Sequence, residues 1–262
     1  ASALVIAMSN LGEDINSHFS EYAPVISSNE EVLFFTSRRP NTTGGKKEFL
    51  SGKYYEDIYI SVNEDGDWSE PENLEVINTN HHDACVGLSS DGKALLIYRP
   101  DNKNFMGGDL YISYLKDSLD YYSWSVPENL GNNINTNYWE PSACISPDYK
   151  TIYFSSNRPG GFGGTDIYRS ELEDGVWGDA VNMGPVINTN YDEDSPYITP
   201  EGNVLYFSSK GHQGMGGFDI FMSADVNRNN GWIDPVNIGY PINSAKDDLH
   251  FSWNLEGTKG YF

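Results

Sequence analysis

Five carboxylic acids recur in this chain at one fixed offset. Glu21, Asp83, Glu140, Glu193 and Asp248 each stand five residues beyond an asparagine, at Asn16, Asn78, Asn135, Asn188 and Asn243. Acids converging on one point would offer a cation site, an anionic socket for an amine, or the paired carboxylates of glycoside hydrolysis. Repetition argues against the last, because a hydrolase gives its two carboxylates different roles. Packed together they would repel one another unless neutralised, and Arg38 or Arg39, Arg99, Arg158 and Lys210 recur at the spacing of partners. The bland reading is therefore a set of ion pairs or loop caps, with Asp247 and Asp248 as the members lacking a basic counterpart. Calcium remains the one cofactor with any support, and no metal ligand set is expected. The segment Asp225–Gly231 misplaces its glycine and lacks the distal glutamate of a calcium loop, so it reads as a hairpin turn.

Other chemistry-bearing types are weaker signals. His81 and His82 precede Asp83, but adjacent strand residues face opposite ways and no third ligand is spelled nearby, so surface histidines are expected. Gly160–Gly164 and Gly214–Gly217 lead into strands rather than helices, which suits tight turns and not a phosphate cradle. No nucleophile elbow or His-Glu-x-x-His motif is present. Cys85 and Cys144 occupy unequal repeat positions and read as small buried side chains.

The acids are positioned by a repeat. Ile-Asn-Thr-Asn stands at 77–80, 134–137 and 187–190, with looser copies at 15–18 and 242–245, at spacings of 62, 57, 53 and 55 residues. That period fits four-stranded propeller blades. Short Tyr-, Phe-, Ile- and Val-rich runs alternate with Gly, Asn, Asp and Pro turns, and helical periodicity is scarce. Asp-Ile/Leu-Tyr/Phe opens the third strand at Asp57, Asp109, Asp166 and Asp219, and Trp68, Trp124, Trp177 and Trp232 open the fourth. The expectation is one all-β domain, a five-bladed propeller with blades near 18–80, 81–137, 138–190, 191–245, and 246–262 together with 1–17. The tail supplies two inner strands of the last blade; residues 3–8 are expected to add an outer strand, and truncation of that blade is favoured.

Between asparagine and acid the spelling changes: His18-Phe19-Ser20, His81-His82, Tyr138-Trp139, Tyr191-Asp192 and Lys246-Asp247. These connections and the loops between strands two and three share one face of a propeller. Tyr138, Trp139, Tyr191, His81, Phe105, Met106, Phe162 and Met215 are therefore candidates for one aromatic and methionine-bearing binding surface. The rival reading is that each aromatic plugs the groove between neighbouring blades.

Thirty-eight acidic residues against 16 basic ones leave a net charge of −22 over 262 residues, which opposes nucleic acid and anionic membrane surfaces. No run approaches the length of a membrane span. The first repeat carries an insertion, Lys46–Tyr55, holding three of the 16 basic residues as a local patch suited to an acidic partner.

The run from Glu140 through Ser-Pro-Asp-Tyr-Lys-Thr-Ile-Tyr-Phe-Ser-Ser-Asn-Arg-Pro-Gly-Gly-Phe-Gly-Gly-Thr-Asp-Ile to Tyr168 resembles the TolB-like, WD-type propeller repeat of bacterial envelope proteins. The Ile-Asn-Thr-Asn junctions and the closing Asp-Asp-Leu-His-Phe-Ser are similar to the propellers of OmpA-family outer-membrane lipoproteins of Bacteroidetes, among them a component of type IX secretion. The resemblance implies a periplasmic, outer-membrane-associated scaffold without catalysis, whose partners are envelope proteins or peptides, and peptidoglycan through another domain.

Overall fold

In the computed structural model, described for residues 7–100, 107–227 and 231–262, the alternating runs form antiparallel sheets and no α-helix. The first blade is β1 (Glu21–Ile26), β2 (Val32–Ser37), β3 (Asp57–Glu64), β4 (Asp67–Trp68) and β5 (Glu72–Asn73). The second is β6 (Ala84–Leu88), β7 (Ala94–Pro100), β8 (Gly108–Tyr114) and β9 (Glu128–Asn129). The third is β10 (Ala143–Ile145), β11 (Thr151–Ser156), β12 (Asp166–Glu173), β13 (Val176–Trp177) and β14 (Val181–Asn182). The fourth is β15 (Glu193–Ile198), β16 (Val204–Ser209), β17 (Asp219–Ala224) and β18 (Val236–Asn237). A last sheet holds only β19 (Ser252–Trp253) and β20 (Gly260–Tyr261).

The described residues thus make four complete blades, not five. Residues 246–262 spell two inner strands and no more, and residues 1–6, which include most of the expected outer strand, lie outside the described residues. A second correction concerns the fourth strand, which is broken in two. The tryptophan end pairs the far end of strand three, as in Asn63↔Trp68 and Leu172↔Trp177, and a separate short piece pairs its middle, as in Tyr59↔Asn73 and Tyr168↔Asn182.

Period-two alternation sends successive side chains to opposite faces, so each middle strand feeds two cores. Val32 and Phe34 pack toward the second blade with Ile77, Leu95 and Trp124, whereas Leu33 and Phe35 pack toward Ile15 and Tyr261. The remaining cores lie between blades two and three around Ile134, between three and four around Ile187, and between four and the last sheet around Ile242. Every landmark isoleucine is therefore a core residue at a junction between sheets. Glu30 ties the last sheet to the first blade: it accepts from Lys259 Nζ at 2.8 Å, Tyr261 Oη at 2.5 Å and Asn254 Nδ2 at 3.1 Å. Among the described residues no helix is long and apolar enough to cross a membrane.

Candidate functional site

The landmark asparagine is a strand clamp. Asn78, Asn135, Asn188 and Asn243 each accept, through Oδ1, the main-chain N–H of Ile58, Leu110, Ile167 or Ile220 at 2.7–2.8 Å. Each returns an Nδ2–H to the carbonyl of that same residue at 2.8–2.9 Å. The amide thereby reproduces the paired donor and acceptor of a neighbouring strand, satisfying two buried backbone groups at once. A second asparagine, Asn73, Asn129, Asn182 or Asn237, accepts the other Nδ2–H at 2.9–3.0 Å and fixes the amide's orientation.

The five acids close the same connection. Thr79, Thr136 and Thr189 donate both N–H and Oγ1–H to Asp83, Glu140 and Glu193, and Ser244 does so to Asp248. Ser17 Oγ donates to Glu21 at 2.6 Å. From the end of strand two, Ser37, Ser156 and Ser209 donate to Glu21, Glu140 and Glu193 at 2.7–3.0 Å. Arg39, Arg99 and Arg158 pair with Glu21, Asp83 and Glu140 at 3.4, 2.6 and 3.4 Å. Each of these guanidinium groups also donates to the landmark isoleucine carbonyl and lies 4.6–5.6 Å from the third-strand tyrosine, Tyr59, Tyr111 or Tyr168. Asp83, Glu140 and Glu193 are fully buried, with both carboxylate oxygens already accepting hydrogen bonds. The acids are loop caps and ion pairs.

One expected pairing is different. Lys210 reaches Asp192 at 2.8 Å rather than Glu193, and His212 takes the arginine position, with Nε2 2.9 Å from the Ile187 carbonyl. Without an arginine, burial dominates at Glu193 and pushes its carboxyl above the usual range. Asp247 and Asp248, the two acids read as lacking a basic counterpart, accept hydrogen bonds from Phe218 N–H and Ser244. Among the described residues no group of three His, Cys, Asp or Glu side chains is placed to hold a metal ion. Both cysteines are free and buried, and burial raises Cys85 to about 12.

His82 is a further correction, because it is not a surface histidine. Its Nε2 lies 2.8 Å from Glu48 and its Nδ1 2.9 Å from Glu56, and Arg38 pairs with both acids at 3.3 and 2.6 Å. The first-repeat insertion supplies Glu48, so this cluster fastens the insertion to the connection between blades one and two. Burial opposes charge on His82, but Glu56 and Glu48 outweigh it and raise its value above that of free imidazole.

The variable residues stay outside these networks and exposed: Tyr138, Trp139, Tyr191, Phe162 and Met215, with His81 beside them. Four connections lie against the preceding blade where strand two's chain enters strand three. Trp139 bridges Gly108, Tyr191 O accepts from Gly164 N–H at 3.0 Å, Lys246 O accepts from Gly217 N–H at 3.1 Å, and Tyr55 meets His81 and His82 at 6.0 and 4.8 Å. The loop carrying Phe162 therefore lies beside the connection carrying Tyr191. Phe105 and Met106 lie outside the described residues.

Sequence reasoning missed a buried polar cluster where the innermost strands converge. Asp194 accepts hydrogen bonds from Ser142 Oγ, from Ser155 Oγ at 2.9 Å and from Ser195 N–H at 2.6 Å, and Ser195 Oγ is 3.4 Å from His250 Nδ1. Burial lowers His250 below the ordinary imidazole range, with Asp194 acting in the opposite sense. The adjoining cavity, lined by Pro24, Gly87, Cys144, Ser195 and His250 among others, measures about 30 Å³, room for roughly one water. The doublet Glu193-Asp194 was the available signal, since no other ring acid is followed by a second acid.

No protein-family description and no curated protein sequence matches this chain. Its fold does have solved counterparts. A TolB candidate from Agrobacterium tumefaciens is 16% identical with a TM-score of 0.51, over 93% of this chain and 89% of that one. The α-L-arabinofuranosidase of Lactobacillus brevis is 13% identical with a TM-score of 0.56, over 92% and 82%. TolB from Acinetobacter baumannii is 15% identical with a TM-score of 0.47, over 79% of this chain and 41% of that one. The expectation that the chain lacks catalysis is corrected by the second of these, because the fold from which it was inferred also carries a hydrolase. What the chain shares with these structures is a TolB-like β-propeller fold.

Proposed function

We propose that this chain is a protein-interaction scaffold whose loop face docks a basic or neutral extended segment of a partner over Tyr138, Trp139 and Tyr191. The observation carrying this reading is that these side chains project from connections whose landmark asparagine, threonine and acid are consumed in clamps and caps. The frame holds itself together without them, yet 62% of Tyr191 and about 40% of Tyr138 and Trp139 face solvent. Exposed Tyr and Trp are the side chains that dominate protein interfaces. A net charge of −22 selects against acidic partners for the body of the protein. His81, Phe162 and Met215 extend the same surface.

The repeat spelling supports a periplasmic setting within an outer-membrane-associated assembly of the OmpA-lipoprotein type, type IX secretion included, with the last sheet standing as the fifth position of the ring. The test is co-purification from the native envelope with Tyr138→Ala/Trp139→Ala. The double variant keeps its fold and loses the partner recovered with the unaltered chain. Recovery at the unaltered level would remove this face from consideration.

A further inference from the structure

The first-repeat insertion is a short hairpin braced at its base and bare at its tip. Lys47 bridges Tyr54 across it, Glu48 N–H donates to the Lys53 carbonyl at 2.8 Å, and Gly52 N–H donates to the Glu48 carbonyl at 3.0 Å. Gly52 takes the positive φ, 68°, that the reversal requires. Beneath the turn, Arg38 donates to the Tyr54 carbonyl at 3.3 Å, and Arg38 and His82 together hold Glu48, the one acid of residues 46–55. The backbone of the turn is thus ordered by the fold, yet the residues at its apex, Phe49 and Leu50, are 98% and 96% exposed, more than any other large apolar side chain among the described residues. Lys46, Lys47 and Lys53 are exposed around them, with Lys47 Nζ 4.5 Å from the Tyr54 ring. With Glu48 paired to Arg38, the tip is locally positive on a body of net charge −22.

We propose that this tip is a lipid anchor: Phe49 and Leu50 enter the apolar boundary of a bilayer carrying anionic headgroups, with Lys46, Lys47 and Lys53 at headgroup level and Tyr54 behind them. An apolar apex followed by an aromatic ring and lysines is the order in which side chains meet a membrane interface, the lysine stems lying along the apolar layer while their ammonium groups stay wet. Size favours lipid over protein. The two side chains offer roughly 300 Å² of apolar area, less than half of the about 800 Å² that a standard protein interface takes from each partner. Charge complementarity points the same way at short range. Anionic headgroups attract the lysines and repel the acidic body, and at physiological salt both effects fade beyond about 8 Å. The tip is therefore the part of this surface that can approach. It is a second contact, separate from the one proposed for Tyr138, Trp139 and Tyr191.

The test is co-sedimentation of the full chain with phosphatidylcholine vesicles, with and without phosphatidylglycerol. The unaltered chain is expected to sediment with the anionic vesicles, and less so as salt rises to about 1 M, where the screening length falls to about 3 Å. Phe49→Ser/Leu50→Ser weakens partitioning about a hundredfold and leaves the melting temperature unchanged, because both side chains already face water. Lys47→Gln/Lys53→Gln weakens it too, whereas Tyr138→Ala/Trp139→Ala binds vesicles like the parent. Absence of sedimentation at about 1 mM lipid, well above the marginal range of a single acyl anchor, overturns the proposal. So does sedimentation that survives the change at Phe49 and Leu50. Equal binding to the neutral vesicles overturns the assignment to anionic lipid. An envelope protein recovered with the parent and lost with the Phe49/Leu50 variant, in the absence of vesicle binding, makes the occupant a protein and overturns the lipid assignment altogether.

Discussion

Replacing Asn188 by Ala tests the clamp, because the same substitution at Asn16 supplies an internal control. Asn16 donates to Asn10 at 3.0 Å as Asn188 does to Asn182, but no third strand lies beside it among the described residues. Asn188 makes three amide hydrogen bonds, two to the main chain of Ile167 and one to Asn182. Ile167 is fully buried, so truncation leaves its N–H and carbonyl without partner or water. Each orphaned group costs about 1–3 kcal/mol, and the net loss of the third bond adds about 1 kcal/mol. The expected destabilisation is about 4 kcal/mol, which in a chain of this size lowers the melting temperature by roughly 8–16 °C. Asn16→Ala deletes exposed bonds only and should stay within about 0.5 kcal/mol of the parent. Urea unfolding followed by tryptophan fluorescence reads both variants, with the midpoint shifting at constant slope. Equal effects at the two positions, or a loss at Asn188 under about 1 kcal/mol, would refute the clamp as the reason for the recurring asparagine.

Two further outcomes follow from the insertion and from a single glycine. His82 has a raised value, so its contribution is complete below the ordinary imidazole value of 6.5 and is lost as pH climbs through the raised one. Glu56 resists charge through burial, yet hydrogen bonds from His82 and Tyr22 draw it down to about 2; its contribution is present above 4.5 and lost as pH falls toward 2. Residues 46–55 are therefore held most firmly between about pH 4.5 and 6.5. Hydrogen exchange at Glu48 and Gly52, corrected for intrinsic rate, should lose protection above that window, and unchanged protection up to about pH 9 would contradict the assignment. Gly163→Ala would place a Cβ 1.8 Å from the Tyr191 carbonyl oxygen. The expected cost is about 1–3 kcal/mol, with altered amide shifts at Gly164 and Tyr191; an unperturbed spectrum would mean that this loop does not abut the connection.

Legibility varied with the kind of interaction. The repeat and the all-β character were readable because they rest on period and alternation, which are local. Acid caps were readable as an alternative, since Thr, acid and Arg recur at constant spacing. The partner of Lys210 was not, because Asp192 and Glu193 are adjacent in sequence and only backbone direction decides which one faces the amine. His82 was misjudged for a similar reason: Glu48 and Glu56 reach it from another blade. The break in each fourth strand was also hidden, since Trp68 and Asn73 both suit a strand and their pairing to separate stretches of β3 is a matter of twist.

By itself the sequence determined that similar sheets follow one another and which residues each junction repeats, because those choices are made within one period of the chain. The tertiary structure decided what the repeated residues do. An asparagine becomes a clamp only when the third strand of its blade lies beside it, and an acid becomes a cap only when the turn before it brings its threonine or serine within reach. Asn16 shows the difference: among the described residues no third strand lies beside it, and it is exposed where its four counterparts are buried.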